Sequence, residues 1–243
     1  MTAVDAESVT TIDQRGTQRV LPLNPFLPLT AWRQGDTMGQ HAVDVGPDYL
    51  WPPVLGESRK YQDTYTVTDG NTGEVRRYLR NWECTVSEVG PVAVASGVFE
   101  SVTATCYRYG RQKAVQRRTI TYAPTLGKVL KTREDYFYSR DSRQQELVAV
   151  LPDLDAVSRG TRNVLNKQMQ GVLETQAQGQ TATRWLGRLK SEILPVATLR
   201  TSKGGYCRRY HWTISGSAAI AGEYPGLACR SGDGVWRVPG TDE

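Results

Sequence analysis

"GYCRRYHWTISGSAAIAGEYPGLACRSGDGVW", residues Gly205–Trp236, is the most patterned stretch of the chain. Two cysteines bracket an apparent hairpin, each is followed by arginine, and a Gly-Asp-Gly turn leads into tryptophan. A redox centre, a metal site and a structural staple are the three readings open to it. The midpoint between Cys207 and Cys229 is residue 218, beside the small residues of SGSA. A hairpin folding there sets the cysteines nearly opposite each other, within reach of a cross-strand bridge. Closing a loop of that length stabilises a fold by roughly 3 kcal/mol on a chain-entropy estimate.

Cys84 and Cys106 repeat the same spacing, 22 residues (84 to 106, and 207 to 229). Neither pair contains the CxxC of a zinc knuckle or thioredoxin-like site, CxxCH is absent, and His41 and His211 are the sole histidines. Two separated pairs read as two disulfides, Cys84–Cys106 and Cys207–Cys229, in an oxidising compartment. Four buried free thiols in a reducing compartment are the alternative. On either reading no metal and no redox cofactor is expected.

Around these pairs the composition is ordinary: 243 residues, 23% charged and 39% hydrophobic. No run of 18 apolar residues occurs, so no transmembrane span is expected. The start, MTAVDAESVTTIDQRG, lacks the basic-then-apolar pattern of a signal peptide, so an exported chain is expected to be numbered from after processing or from a misassigned start. Net charge is +5, and the first 60 residues hold five basic against seven acidic side chains, so the positive excess lies beyond them. A mild excess favours anionic surfaces. Arg and Lys mostly alternate with apolar residues, as solvent-facing strand positions do, rather than clustering with exposed aromatics, so nucleic acid is not an expected partner.

Three segments follow from the patterning. Residues 1–56 hold six of the twelve prolines, and LPLNPFLPLTAW repeats proline every third residue, which favours an extended arm. Its Phe26, Leu27, Trp32, Leu50 and Trp51 are too apolar for a solvated tail; the arm either packs on its own body or lies along a partner. Residues 57–151 alternate with period two between Gly, Pro, Asp and Ser punctuation, which predicts an antiparallel β meander. Residues 152–243 begin with a helix, its apolar face Leu154, Val157, Val164, Leu165, Met169, Val172 and Leu173, with Asp153 or Asp155 as N-cap and Gly179 beyond its end. Strand-like runs follow it. The fold class expected is mainly β (α+β): a β meander domain, then one helix against a small antiparallel sheet, preceded by the arm.

The residues YCRRYHWTISG…GLACRSGDGVWRV resemble the C-terminal domain of the rickettsial seventeen-kilodalton surface-antigen family of bacterial envelope proteins. The matching positions are Tyr206, Cys207, Arg208, Gly216, Ala228, Cys229, Arg230, Asp233, Gly234 and Trp236, with Trp185 and the preceding helix in keeping. Many members carry a glycine-zipper membrane segment before this domain, and here a β domain stands in its place. That domain, through Gly56, Gly97-Val98-Phe99 and Tyr122-Ala123-Pro124 to Gly127, is similar to β domains of secreted bacterial lipoproteins, although the lipoprotein cysteine is absent. The resemblance implies an envelope protein.

Catalytic constellations are sparse. His211 lies between Tyr210 and Trp212 on a presumed strand, and His41 in the arm. Glu134 and Asp135 are adjacent, so on a strand they face opposite sides and cannot share a site. Ser231–Gly234 opens no helix and is no phosphate loop. Trp82, Trp185, Trp212 and Trp236 read as core, Trp32 and Trp51 as anchors in a groove. The expected function is therefore a non-catalytic, periplasmic or outer-membrane-associated structural or assembly component. It docks through Phe26, Leu27, Trp32, Leu50 and Trp51 onto other envelope proteins in a multi-subunit assembly, with peripheral membrane-surface contact allowed. The alternative is a periplasmic binding module whose basic face holds an anionic glycan, peptidoglycan or lipid headgroup. A third is a β enzyme working through carboxylates.

Overall fold

Period-two alternation carries most of the chain into strands. The computed structural model describes residues 2–4, 8–12, 16–111, 113–139, 141–202 and 204–239, and among these it is mainly β with one α-helix. The chain divides into two compact units, Met1–Val92 with Phe99–Gln145, and Ala93–Val98 with Glu146–Glu243.

The first unit is built on an 11-stranded sheet whose strands lie side by side in chain order. These are β1 (Thr2–Val4), β2 (Ser8–Ile12), β3 (Gln18–Pro22), β4 (Ala31–Gln34), β5 (Thr37–Val43), β6 (Ser58–Asp69), β7 (Val75–Val94), β8 (Gly97–Tyr109), β9 (Ala114–Ala123), β10 (Lys128–Tyr136) and β11 (Ser142–Glu146). In β7, Trp82, Cys84 and Val86 are buried while their neighbours in between are not, as a pleated strand with one face in a core requires. Tyr61 of β6 pairs with Trp82, and Cys106 of β8 with Arg118 of β9. The core gathers Phe26, Leu50, Tyr61, Trp82, Val86, Ala104 and Ile120 around the Cys84–Cys106 disulfide.

The extended arm expected over residues 1–56 is instead part of this sheet. β5 pairs with β6 from Thr37↔Asp69 to Val43↔Asp63, and β4 pairs with β3 and β5. The prolines allow this because of where they fall. Pro22 ends β3, and Pro25 and Pro28 lie in the connection to β4, so they remove little from the ladder. Asn24 folds that connection inward. Its side-chain amide donates to the carbonyls of Pro47 (2.9 Å) and Tyr49 (2.6 Å) and its oxygen accepts from the Phe26 N–H. Phe26 and Leu50 are consequently 0% exposed. Leu50 sits at φ 51, in the left-handed region, where its buried side chain holds it.

The second unit carries a 5-stranded antiparallel sheet, again in chain order: β12 (Ala182–Leu186), β13 (Leu189–Arg200), β14 (Tyr206–Ser215), β15 (Gly222–Arg230) and β16 (Trp236–Arg237). Cys207 stands opposite Cys229, the two are disulfide-bonded, and the pairing runs to Ile214↔Gly222 about residue 218. Gly216 (φ 77) sits in this turn, where an added Cβ meets the Arg188 carbonyl.

Helix α1 (Arg159–Thr175) lays Leu165, Val172 and Leu173 against Ile193, Tyr210, Trp212 and Trp236. Its N-cap is Ser158, whose Oγ accepts from the Thr161 N–H, and not Asp153 or Asp155. Asp153 caps a separate 3-10 turn, Leu154–Ala156, which uses up the residues expected to begin the helix. Arg208 is buried and donates to the carbonyls of Val172, Leu173 and Gln176, satisfying the C-terminal end of α1. Its neighbour Arg209, on the other face of β14, donates to the carbonyl of Ala95. Among the described residues no helix is long and apolar enough to cross a membrane.

Candidate functional site

Strand alternation aims three arginines of the first unit into its interior. Arg80 lies two residues before Trp82 in β7, Arg108 two after Cys106 in β8, and Arg118 opposite Cys106 in β9. Because Trp82, Cys84 and Cys106 face the core, residues two away along the same strands share that face. The disulfide sets Cys84 beside Cys106, so Trp82 stands beside Arg108.

Aromatic and acidic groups surround the arginines. Arg118 Nη2 donates to the Tyr61 hydroxyl (3.2 Å) and the Phe26 carbonyl (3.3 Å), and its guanidinium lies 5.0 Å from the centroid of Trp82. Arg80 lies 4.1 Å from the centroid of Tyr65, which stacks on His41 and whose hydroxyl accepts from Trp32 Nε1. His41 Nδ1 is 2.9 Å from Asp63, whose side chain is 1% exposed. The Tyr136 hydroxyl donates to Glu134 (2.7 Å). Electrostatics follow from this crowding. Burial pushes the Tyr61 hydroxyl up, opposed by Arg118. Burial and then repulsion from Arg80 push Arg108 down, opposed by Tyr136, Glu134 and Asp63.

Hydrogen-bond satisfaction singles the cluster out. Among the described residues Arg80 Nε, Arg108 Nε, Arg118 Nε and Trp82 Nε1 are buried with no acceptor, four of the six buried side-chain atoms without a partner. All four are donors. Each such group costs on the order of 1–3 kcal/mol, so natural cores hold few of them, and a concentration in one place asks for an accepting group. The arrangement can hold an anion.

The residues singled out by sequence fall elsewhere. Both cysteine pairs are bonded as expected. Phe26 and Leu50 are core, Leu27 packs against that core, and Trp32 is tied to Tyr65. Trp51 alone of the five is substantially open, 40% exposed with its ring edge-on to Tyr122. The five form no common docking surface. Trp82, Trp212 and Trp236 are buried, but Trp185 is 63% exposed, because β12 is an edge strand and Trp185 is on its open side beside Lys190. His211 is exposed on β14. Glu134 and Asp135 diverge as strand neighbours should, Glu134 to Tyr136 and Asp135 to Arg117, Arg133 and Ser142.

Sequence reasoning passed over the arginines, although a signal was there. R80-N-W82-E-C84 and C106-Y-R108 place arginine in phase with tryptophan and cysteine, whereas a solvent-facing arginine alternates out of phase with them.

No family model and no curated protein sequence matches the chain, so the likeness of residues 206–236 to the surface-antigen family is a resemblance without membership. Among solved structures the chain is similar to the hypothetical lipoprotein YmcC of Escherichia coli K12, at 10% identity and a TM-score of 0.38, over 59% of this chain and 77% of that one. A likeness of that degree carries no argument here.

Proposed function

We propose that this chain is an exported protein of the bacterial envelope that binds an anionic ligand, without catalysing its conversion, on the inner face of its first unit. The observation that supports this most directly is the group of four buried donors without acceptors at Arg80, Trp82, Arg108 and Arg118. Guanidinium groups held among aromatic rings are desolvated, and an anion placed there gains more from each than it does in water. Two disulfides favour an oxidising compartment. Assembly through residues 20–53 is the weaker reading, because Phe26 and Leu50 are committed to the core.

Titration calorimetry at low ionic strength tests the proposal with an anionic glycan, dextran sulfate, against neutral dextran. Binding is expected for dextran sulfate alone, weakening with salt, and falling at least tenfold in an Arg80→Gln, Arg108→Gln double variant whose near-ultraviolet spectrum is unchanged. Equal binding by the double variant assigns the anion to surface charge and overturns the proposal.

A further inference from the structure

We infer that the ligand group taken by this cluster is a monoanionic tetrahedral ester, a phosphodiester or a sulfate ester, rather than a planar carboxylate. The inference rests on the anion-binding reading and sharpens it. Its first support is charge. Arg80, Arg108 and Arg118 face Asp63 and Glu134 on the same sheet face, so the guanidinium groups exceed the carboxylates by one. A monoanion neutralises that excess, and a dianion reverses it inside a region of low dielectric.

The second support is geometric. The donors arise from three neighbouring strands, Arg80 and Trp82 from β7, Arg108 from β8 and Arg118 from β9. Arg118 stands over the face of Trp82, whereas Arg108 stands beside it across the disulfide-fixed register. A carboxylate offers two oxygens in one plane and suits a single guanidinium fork. Donors placed over a ring face, on its flank and along the ring's own strand point in separate directions rather than along one fork. A tetrahedral ester presents its oxygens in those separate directions. The same group occurs in a phospholipid headgroup and in a soluble phosphodiester of a glycan, and the cluster reads only the group.

Nitrogen-15 correlation spectra of the full chain, which resolve arginine Nε–H and indole N–H signals, test this with dimethyl phosphate and acetate. Dimethyl phosphate is expected to move the signals of Arg80, Arg108, Arg118 and Trp82 at concentrations at least tenfold below those needed for acetate. Arg108→Gln is expected to abolish the remaining shifts while the β13–β15 amides stay in place. Equal response to acetate overturns the inference and leaves anion binding standing. No response of these four signals to any anion, with dextran sulfate included, overturns both. Glycerophosphoglycerol and phosphatidylglycerol vesicles, compared with vesicles of a phosphate-free neutral galactosyl diacylglycerol, then separate a soluble source from a lipid one. Response to either supports the inference, and response to the galactolipid equal to phosphatidylglycerol overturns it.

Discussion

An arginine can be structural or functional according to whether its donors are used within the chain. Arg208 follows the first cysteine of the patterned hairpin and is 8% exposed, and it directs three hydrogen bonds at the carbonyls ending α1. Replacing it with alanine removes that donor from the Leu173 and Gln176 carbonyls, while Val172 keeps the Gln176 N–H, and the second unit is expected to lose about 3 kcal/mol. Denaturant unfolding followed by the fluorescence of Trp212 and Trp236 measures this, and a loss below about 1 kcal/mol contradicts the capping role. Arg208 Nε is itself without a partner, so Arg80, Arg108 and Arg118 differ in number and place: three such Nε donors and Trp82 Nε1 fall in one unit with no acceptor among the described residues. On the opposite sheet face, Asp135 shows how a fully used charge behaves. Hydrogen bonds from Arg117 and then Arg133 lower its carboxyl to about 2. The sign is that of a depressed acid: its contribution is present above the ordinary carboxylate value and disappears as the pH falls from about 4 toward 2. Asp135→Asn is therefore expected to be less stable than the parent at pH 6, with most of that difference gone near pH 2. A difference that persists unchanged at pH 2 contradicts the ionic origin.

At the scale of elements, prolines and apolar residues in one segment pull the reading of sequence in two directions. LPLNPFLPLTAW reads as an arm because Pro every third residue favours an extended path, yet Asn24 turns it so that Phe26 enters the core of the first unit. Phe26→Ala is expected to destabilise that unit by about 3–5 kcal/mol, and in a chain lacking residues 1–53 the first unit is expected to lose its cooperative unfolding. A truncated chain with an unchanged melting profile contradicts the placement of Phe26 and Leu50 in the core. The hairpin of β14 and β15 was legible for the opposite reason. Equal arms about residue 218, a turn of small residues and a cysteine on each arm all agree, so register and pairing follow together. The start of α1 was not legible to the residue, since Asp153 and Ser158 are both good caps and the 3-10 turn between them leaves no periodic trace. The arginine cluster is not legible because it has no sequence motif. Its members lie on β6 to β10 and meet through register, which a single strand's pattern shows only as arginine in phase with the core.

For the molecule as a whole, the division into two units has a consequence for stability and for binding. Each unit has its own apolar core and its own disulfide closing a loop of about 22 residues, so each bridge contributes roughly 3 kcal/mol to the unit that contains it. Under reduction, Cys84–Cys106 is the bridge that holds Trp82 beside Arg108, so its loss is expected to weaken anion binding as well as folding. Loss of Cys207–Cys229 acts on the second unit's sheet, where none of the cluster's residues lie. Ligand linkage distinguishes the units in the same way. A ligand present at 100 times its dissociation constant stabilises the unit that binds it by about 2.7 kcal/mol. Hydrogen exchange with dimethyl phosphate is therefore expected to slow the core amides of β7, β8 and β9 by up to about a hundredfold. Those of β13, β14 and β15 are expected to exchange at an unchanged rate. Protection rising equally in both sets shows that the chain opens as one cooperative body, in which case the two cores do not act separately. Protection rising only in the second set contradicts the location of the site. The discriminating case is a Cys207→Ser, Cys229→Ser variant, in which the second set exchanges faster from the outset while the response of the first to the ligand is expected to remain that of the parent chain.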